Sequence, residues 1–379
     1  METPLYFDET HSLNTLAEVL DLKRSGLPLN SPFIKKSTYM AFEKSKETIL
    51  EMLGASIEDK LLLTQSGEEA ISQVFLSHFQ TEMMHTGNQH IVVFSLDHAP
   101  ILKAAENLKE FGASVTFAKP NAFGQLTKDL LMKAVTKRTS LVSISWVHPL
   151  TSSIQPIYEI VAICEELNIA LHLDISYAVG KLLFRFDEIP ATYVTLDAKS
   201  IRGFANQGMI LTKKHTELVS LVHGFKEGGG QTLEDYKGLE IAIKASEDNL
   251  EYINLEVARL RDYFEKSLQK EFSEIKPLFT DIERLPHVSV VSFPNARSEY
   301  LLYLLKEKNL FASIGGENFQ KLDCILQSLF YEDRESLSAI SFSLPKDVTQ
   351  VVVDKAIIII SDAYKIAKKV SKDLFKEEG

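Results

Sequence analysis

Lys60-Leu-Leu-Leu-Thr64-Gln-Ser-Gly67-Glu-Glu69-Ala-Ile-Ser-Gln-Val-Phe75-Leu-Ser-His-Phe79 opens on an apolar run and closes on a helical pattern, with one glycine between them. Lys60–Thr64 reads as a short strand and Ala70–Phe79 as a helix. A strand–glycine–helix turn aims free backbone N–H groups and a helix dipole past the strand end, which suits an anion. Taken alone, Gln65–Glu69 is equally well a plain turn.

The same alternation runs outward from this stretch. Ile91–Phe94, Ser114–Phe117, Leu141–Ser145 and Ala170–Leu173 are further strands. Ala99–Phe111, Leu126–Ala134 and Ile157–Leu167 are the helices between them, and Lys44–Leu53 is an amphipathic helix ending at Gly54. Strands separated by helices of this length imply βαβ units on a parallel sheet. Tyr193–Leu196 and Gly208–Thr212 read as two last strands, a closing hairpin-like pair. Glu234–Glu271 is helical by pattern and proline-free. Beyond Pro277 the runs His287–Phe293 and Ala339–Ser343 suggest a small antiparallel sheet, backed by helices Glu299–Lys306, Asp323–Phe330 and Asp354–Phe375. The expected architecture is α/β in two domains. A large domain spans 15–250, and a small α+β domain spans 251–379 completed by 1–14.

Composition narrows the function. The 379 residues are 45% hydrophobic and 25% charged, which is globular. Forty-one basic against 52 acidic residues give a net charge of −11, a poor match to nucleic acid, which binds through neutralised phosphates. Ile91–Leu96 and Ala356–Ile360 are far short of the roughly 20 residues that cross a bilayer. Met1–Thr10 is acidic, without the basic start of a signal peptide. The expectation is a cytoplasmic protein with no nucleic-acid or membrane partner. Cys164 and Cys324 are too few for a disulfide framework or a four-thiolate zinc site, and no metal is expected. Cys164 reads as core.

Open α/β sheets place ligands beyond their strand ends. Four such segments carry chemistry here: the turn at Gly67-Glu68, Ser95-Leu-Asp97-His98, Leu171-His-Leu-Asp174 and Leu196-Asp197-Ala-Lys199. A lone histidine is more often structural, a strand-end lysine more often a snorkelling surface residue, and a buried carboxylate needs a partner.

In order, these segments resemble the cysteine desulfurase branch of the class V aminotransferases, fold-type I enzymes dependent on pyridoxal phosphate. Leu5-Tyr-Phe-Asp8 is similar to the family's opening strand, Asp97-His98-Ala-Pro-Ile101 to its Glu-His-x-x-Val element, and Ile154-Gln-Pro-Ile157 to its Gln-Pro-Ile helix start. His172-Leu-Asp174 with Ala178-Val-Gly-Lys181, the Gly228–Gln231 loop and Ile340–Leu344 complete the match. The resemblance implies Lys199 as the catalytic Schiff-base lysine. It implies His98 as the ring stacked on the pyridine and Asp174 as the partner of the pyridinium nitrogen. Gly67 and Glu68 fall in the phosphate loop. It also implies a homodimer, a small amino-acid or amine substrate, and a place in sulfur or iron–sulfur metabolism.

The departures from the family pattern form a set. Glu68 replaces the phosphate-loop threonine. Leu196 and Ala198 replace the serine and histidine before the lysine, and Leu239 the partner-subunit threonine. A glutamate about 4 Å from a phosphate charge costs on the order of 4 kcal/mol at an effective dielectric near 20, about three decades of affinity. The nucleophilic cysteine falls near Asn318, and the carboxylate-binding arginine at Ser341. The ring-hydroxyl asparagine falls around His148-Pro149, and the glutamine after the aspartate at Tyr177. Three readings stay open: a divergent pyridoxal-phosphate enzyme on another amino acid or amine, a catalytically degenerate binding or scaffold protein, and a desulfurase whose Cys324 reaches in from a mobile loop. In the first two, Cys324 is expected to be a packed thiol.

Overall fold

The structure, a computed structural model, describes residues 4–10, 14–22, 28–29, 31–222 and 231–371. Residues 228–230 of the glycine loop lie outside them. The main sheet has seven strands: β2 (Lys60–Thr64), β3 (His90–Phe94), β4 (Ser114–Ala118), β5 (Thr139–Ser145), β6 (Ala170–Asp174), β7 (Tyr193–Asp197) and β8 (Gly208–Thr212). β1 (Leu5–Tyr6) lies elsewhere, paired in parallel with β11 (Leu310–Phe311). The order is β2-β8-β7-β6-β5-β3-β4. β7, β6, β5, β3 and β4 run parallel, and β8 is antiparallel to both β7 and β2. The expected closing pair is therefore present, with β2 added to its outer side.

Both faces of this sheet are buried, which is why its strands read as near-continuous apolar runs. Side chains alternate between faces. Leu61, Leu63, Val92 and Phe94 enter one apolar cluster, with helices α1 (Lys36–Met52), α5 (Ile157–Glu166) and α6 (Leu233–Glu247). Leu62, Ile91 and Val93 enter another, with α2 (Gly67–His78) and α3 (Ala99–Glu110). α4 (Lys128–Ala134) follows β4.

The small antiparallel sheet is also found: β9 (Lys276–Leu278) and β12 (Ala339–Ser343) flank β10 (Val288–Ser292). Helices α7 (Ala258–Glu271), α8 (Ser298–Glu307), α9 (Leu322–Ser328) and α10 (Gln350–Ser371) complete this part. Two helix limits differ from the sequence reading. α1 begins at Lys36, eight residues earlier, because nothing between Pro32 and Lys44 breaks a helix. The expected continuous helix 234–271 is interrupted after Glu247, where Asn249 turns its side-chain amide back onto the Ala245 carbonyl. A wider turn at Ile253–Val257 follows before α7.

Candidate functional site

The segments that follow β3, β6 and β7 and the start of α2 surround a cavity of about 270 Å³. Its wall includes Gly67, Glu68, His98, Tyr177, Lys199 and Phe319. Four of the five residues singled out for cofactor or catalysis thus meet at one place. The fifth, Asp174, lies in the sheet beside this cavity and is 2% exposed.

Asp174 ends β6, and its carboxylate accepts three hydrogen bonds from neighbouring donors. The Ser176 N–H donates to Oδ1 at 3.2 Å, and the Ser176 and Thr195 hydroxyls donate to Oδ2 at 3.1 and 2.8 Å. Thr195 Oγ1 lies 2.9 Å from His172 Nε2, and His172 Nδ1 lies 2.8 Å from Ser143 Oγ. The donor order that satisfies every group runs Ser143 to His172 to Thr195 to Asp174. Burial pulls the His172 imidazole down to about 3, so it stays neutral. This polar chain stitches β5, β6 and β7 together.

His98 follows β3, and its Nδ1 lies 3.3 Å from Ser145 Oγ. Burial lowers its basicity, against the opposing pull of Asp174 and Glu68. The neighbouring Asp97 accepts the Ser145 N–H at 3.0 Å through Oδ1, while its buried Oδ2 has no partner. Burial pushes the Asp97 carboxyl up to about 7.

At the start of α2, Ser66 Oγ accepts the Glu69 N–H, capping the helix. Gly67 is required by a close approach: a Cβ there would stand 2.6 Å from Asp197 Cβ. Asp197 ends β7, and its Oδ1 accepts the Lys199 N–H at 3.0 Å. Ala198–Ile201 then forms a tight turn, so the chain leaves the strand before Lys199. No described residue gives its Nζ a hydrogen bond or ion pair. Burial, followed by the Glu68 and Asp174 charges, raises the Asp197 carboxyl to about 6 despite the lysine.

Phe319 was not legible from sequence, since its role comes from a loop fold. Its ring centroid lies 6.0 Å from that of His98, 5.8 Å from Tyr177 and 6.4 Å from His148. The preceding Asn318 donates its side-chain amide to Glu68 Oε1 at 3.0 Å, and its carbonyl accepts the Ala99 N–H at 2.7 Å. The one available signal was the Gly315-Gly316 pair, which marks a sharp turn.

The two thiols lie away from this cavity. Cys164 is buried in α5, as expected, and burial drives its thiol up to about 12. Cys324 is exposed, which corrects the expectation of a packed thiol. α9 buries Leu322, Ile325 and Leu326, and position 324 falls on its other face. Cys324 also sits within a helix, not on a mobile loop. Ser341, at the expected carboxylate position, spends its hydroxyl on the Leu150 carbonyl at 2.8 Å.

Residues 30–199 match the family model described as aminotransferase class-V. Over that stretch the chain is similar to the class V aminotransferases. A cysteine desulfurase IscS of Dictyoglomus turgidum is 25% identical over 302 residues, covering 77% of this chain and 75% of the relative. A cysteine desulfurase of Bradyrhizobium diazoefficiens is 21% identical, covering 99% and 98%. A solved NifS-like protein superposes with a TM-score of 0.85 at 22% identity, over 96% of this chain and 99% of that one. The fold is therefore that of the fold-type I enzymes, and class V aminotransferases use pyridoxal phosphate.

The residues at the start of α2 do not fit the phosphate of that cofactor as they stand. Phe319 shares the cavity wall with His98, its ring tilted by 43° at 6.0 Å. The α2 end of the cavity presents the carboxyl groups of Glu68 and Asp197, where a phosphate needs donors.

Proposed function

We propose that this chain is a catalytically degenerate, desulfurase-like protein that keeps the family fold and serves as a binding or scaffold partner in sulfur or iron–sulfur metabolism. The carrying observation is Asn318. The loop position that resemblance assigns to the nucleophilic cysteine holds an amide, bonded to Glu68. An amide neither attacks sulfur nor carries a persulfide. Cys164 and Cys324 are absent from the cavity wall, and Ser341 offers a substrate carboxylate no charge. The pathway assignment comes from the relatives' names alone.

The test is incubation of the purified chain with excess pyridoxal phosphate, L-cysteine and a reductant. The expected result is no yellow chromophore, no borohydride-trapped adduct and no sulfide. Sulfide release overturns the reading outright. A trapped adduct on Lys199 without sulfide establishes instead the second reading, a divergent enzyme on an amino acid or amine. Lys199 is the observation in favour of that second reading. It faces the cavity with its amine unpaired among the described residues, as imine formation requires.

A further inference from the structure

We propose that a second cavity binds a small unbranched monocarboxylate, with its carboxylate between Arg202 and Lys346 and its alkyl chain among Phe7, Val179, Ile201, Ile253 and Val348. The cavity holds about 370 Å³, within the range of small-molecule sites. It lies between β1, the turns at 179–181 and 200–202, the end of α6 and the start of α10. It shares only Glu9 and Ser200 with the cavity at Lys199. All five apolar side chains are buried, so the wall they form is enclosed rather than an open surface. That wall is also fixed in place. A Cβ on Gly180, which has a φ of 74°, would stand 2.5 Å from Ser246 Cβ at the end of α6.

Most charged groups on this cavity are already answered. Glu9 pairs with Lys181 and His287, and Asp8 accepts from the Thr10 N–H and hydroxyl. Asp347 is exposed and attracts Lys346 only at a distance. Arg202 and Lys346 remain. The Arg202 carbonyl accepts the Leu16 N–H at 2.9 Å, and its Nε donates to the Asn14 carbonyl at 2.9 Å. Held at both ends, it keeps the two Nη groups of its guanidinium fork without a hydrogen bond among the described residues. Lys346 is half-buried, and among the described residues its ammonium has neither a hydrogen bond nor an ion pair. Burial and then the Arg202 charge lower its basicity, so the two cations lie near enough to repel. A carboxylate between them relieves that repulsion and supplies the planar acceptor that a guanidinium fork matches. The carboxyl groups of Asp8, Glu9 and Asp347 on the same cavity disfavour a doubly charged anion such as phosphate. An alkyl chain gains by leaving water for the apolar wall. The proposal goes beyond the non-catalytic reading and does not rest on it, since none of these groups reacts with Lys199.

The probe is radiolabelled octanoate, measured by equilibrium dialysis against the full chain at pH 7 and low salt. It should bind saturably, one molecule per chain. Arg202→Gln and Lys346→Met should each weaken it at least tenfold. Ile253→Trp, which fills the apolar end and leaves both cations, should do the same. Butanoate should bind at least tenfold more weakly than octanoate, since each buried methylene is worth about threefold to fourfold. Octylamine, the same chain with the opposite charge, should not displace octanoate, and inorganic phosphate should do so only at a concentration at least tenfold higher than butanoate requires. Absence of saturable octanoate binding overturns the proposal. So does equal affinity in the wild type, Arg202→Gln and Lys346→Met, each shown folded by circular dichroism. Displacement by octylamine, or by phosphate as readily as by butanoate, overturns it too. If Arg202→Gln fails to fold, Lys346→Met decides alone, and wild-type affinity there overturns the proposal. Octanoate has neither an amine nor an aldehyde, so the outcome does not depend on the Lys199 chemistry that tests the non-catalytic reading.

Discussion

Asp97 is a carboxyl group with one oxygen bonded and the other buried alone. Burial raises it to about 7 from an ordinary 3.8, so the folded state prefers the protonated acid. Its contribution to stability is full below about pH 4, falls as the pH rises, and is fully lost above about 7. That shift corresponds to on the order of 4 kcal/mol at most. Asp97→Asn cannot ionise and keeps an acceptor for the Ser145 N–H. Its stability from chemical denaturation should be flatter than wild type between pH 5 and 8, and equal slopes would reject the assignment. The thiols make a second pair of expectations. Burial and then Asp323 raise the Cys324 thiol, so iodoacetamide at pH 7 should modify it more slowly than free cysteine. Cys164 should react only after denaturation. At this scale the sequence exposed residue types but not their use. His98, Asp174 and Lys199 stood out because imidazole, carboxylate and amine after strand ends are chemically conspicuous. Phe319 and Ser341 did not, because a phenyl ring and a hydroxyl mean nothing until the fold gives them neighbours.

Elements bring together what separate residues cannot. The short β1 is held to the body by Glu9, three residues past its end, which lies 2.8 Å from His287 and 3.4 Å from Lys181. Burial alone would raise this carboxyl, but the His287 and Lys181 charges outweigh it and hold it down at about 2. A depressed carboxyl stabilises above its unfolded value near 4.5 and loses that contribution as the pH falls through 2. Glu9→Gln should cost on the order of 2–3 kcal/mol at neutral pH, since it leaves Lys181 without its partner. The gap to wild type should close on acidification; a gap unchanged at pH 2 argues against the ion cluster. The start of α6 offers a cleaner local case. Thr232 Oγ1 accepts the Asp235 N–H, and Asp235 Oδ2 accepts from Thr232 in return. Thr232→Ala should lower stability by about 1 kcal/mol, seen as a shifted denaturation midpoint without a changed slope. Strands and helices were readable because period and breakers are local properties. The helix interruption after Glu247 was not, because an asparagine's choice between solvent and a carbonyl leaves no periodic trace.

The whole molecule raises the question of how its parts depend on one another. Phe33, Tyr39 and Met40, on α1 and just before it, remain exposed, which supports the proposed homodimer. Sedimentation equilibrium at micromolar concentration should give twice the chain mass, and a monomer would end that proposal. The proposed division into 15–250 and 1–14 with 251–379 has a different consequence. β10 alternates between two apolar clusters: Val288 and Val290 join the one that fills the face of the large sheet, while Val291 and Phe293, just past the strand end, join the one under α7, α8 and α10. α9 adds Leu322, Ile325 and Leu326 to the large cluster from the same C-terminal part. One strand thus belongs to both cores, and neither core is complete when the other is lost. Two units that share a strand this way should melt together. Scanning calorimetry should show one transition, with calorimetric and van't Hoff enthalpies in agreement once concentration is fixed. Val290→Ala and Val291→Ala point to opposite cores, yet each should lower that same transition, by about 2 kcal/mol. Two resolved peaks, with each variant moving only one of them, would show that the parts fold separately.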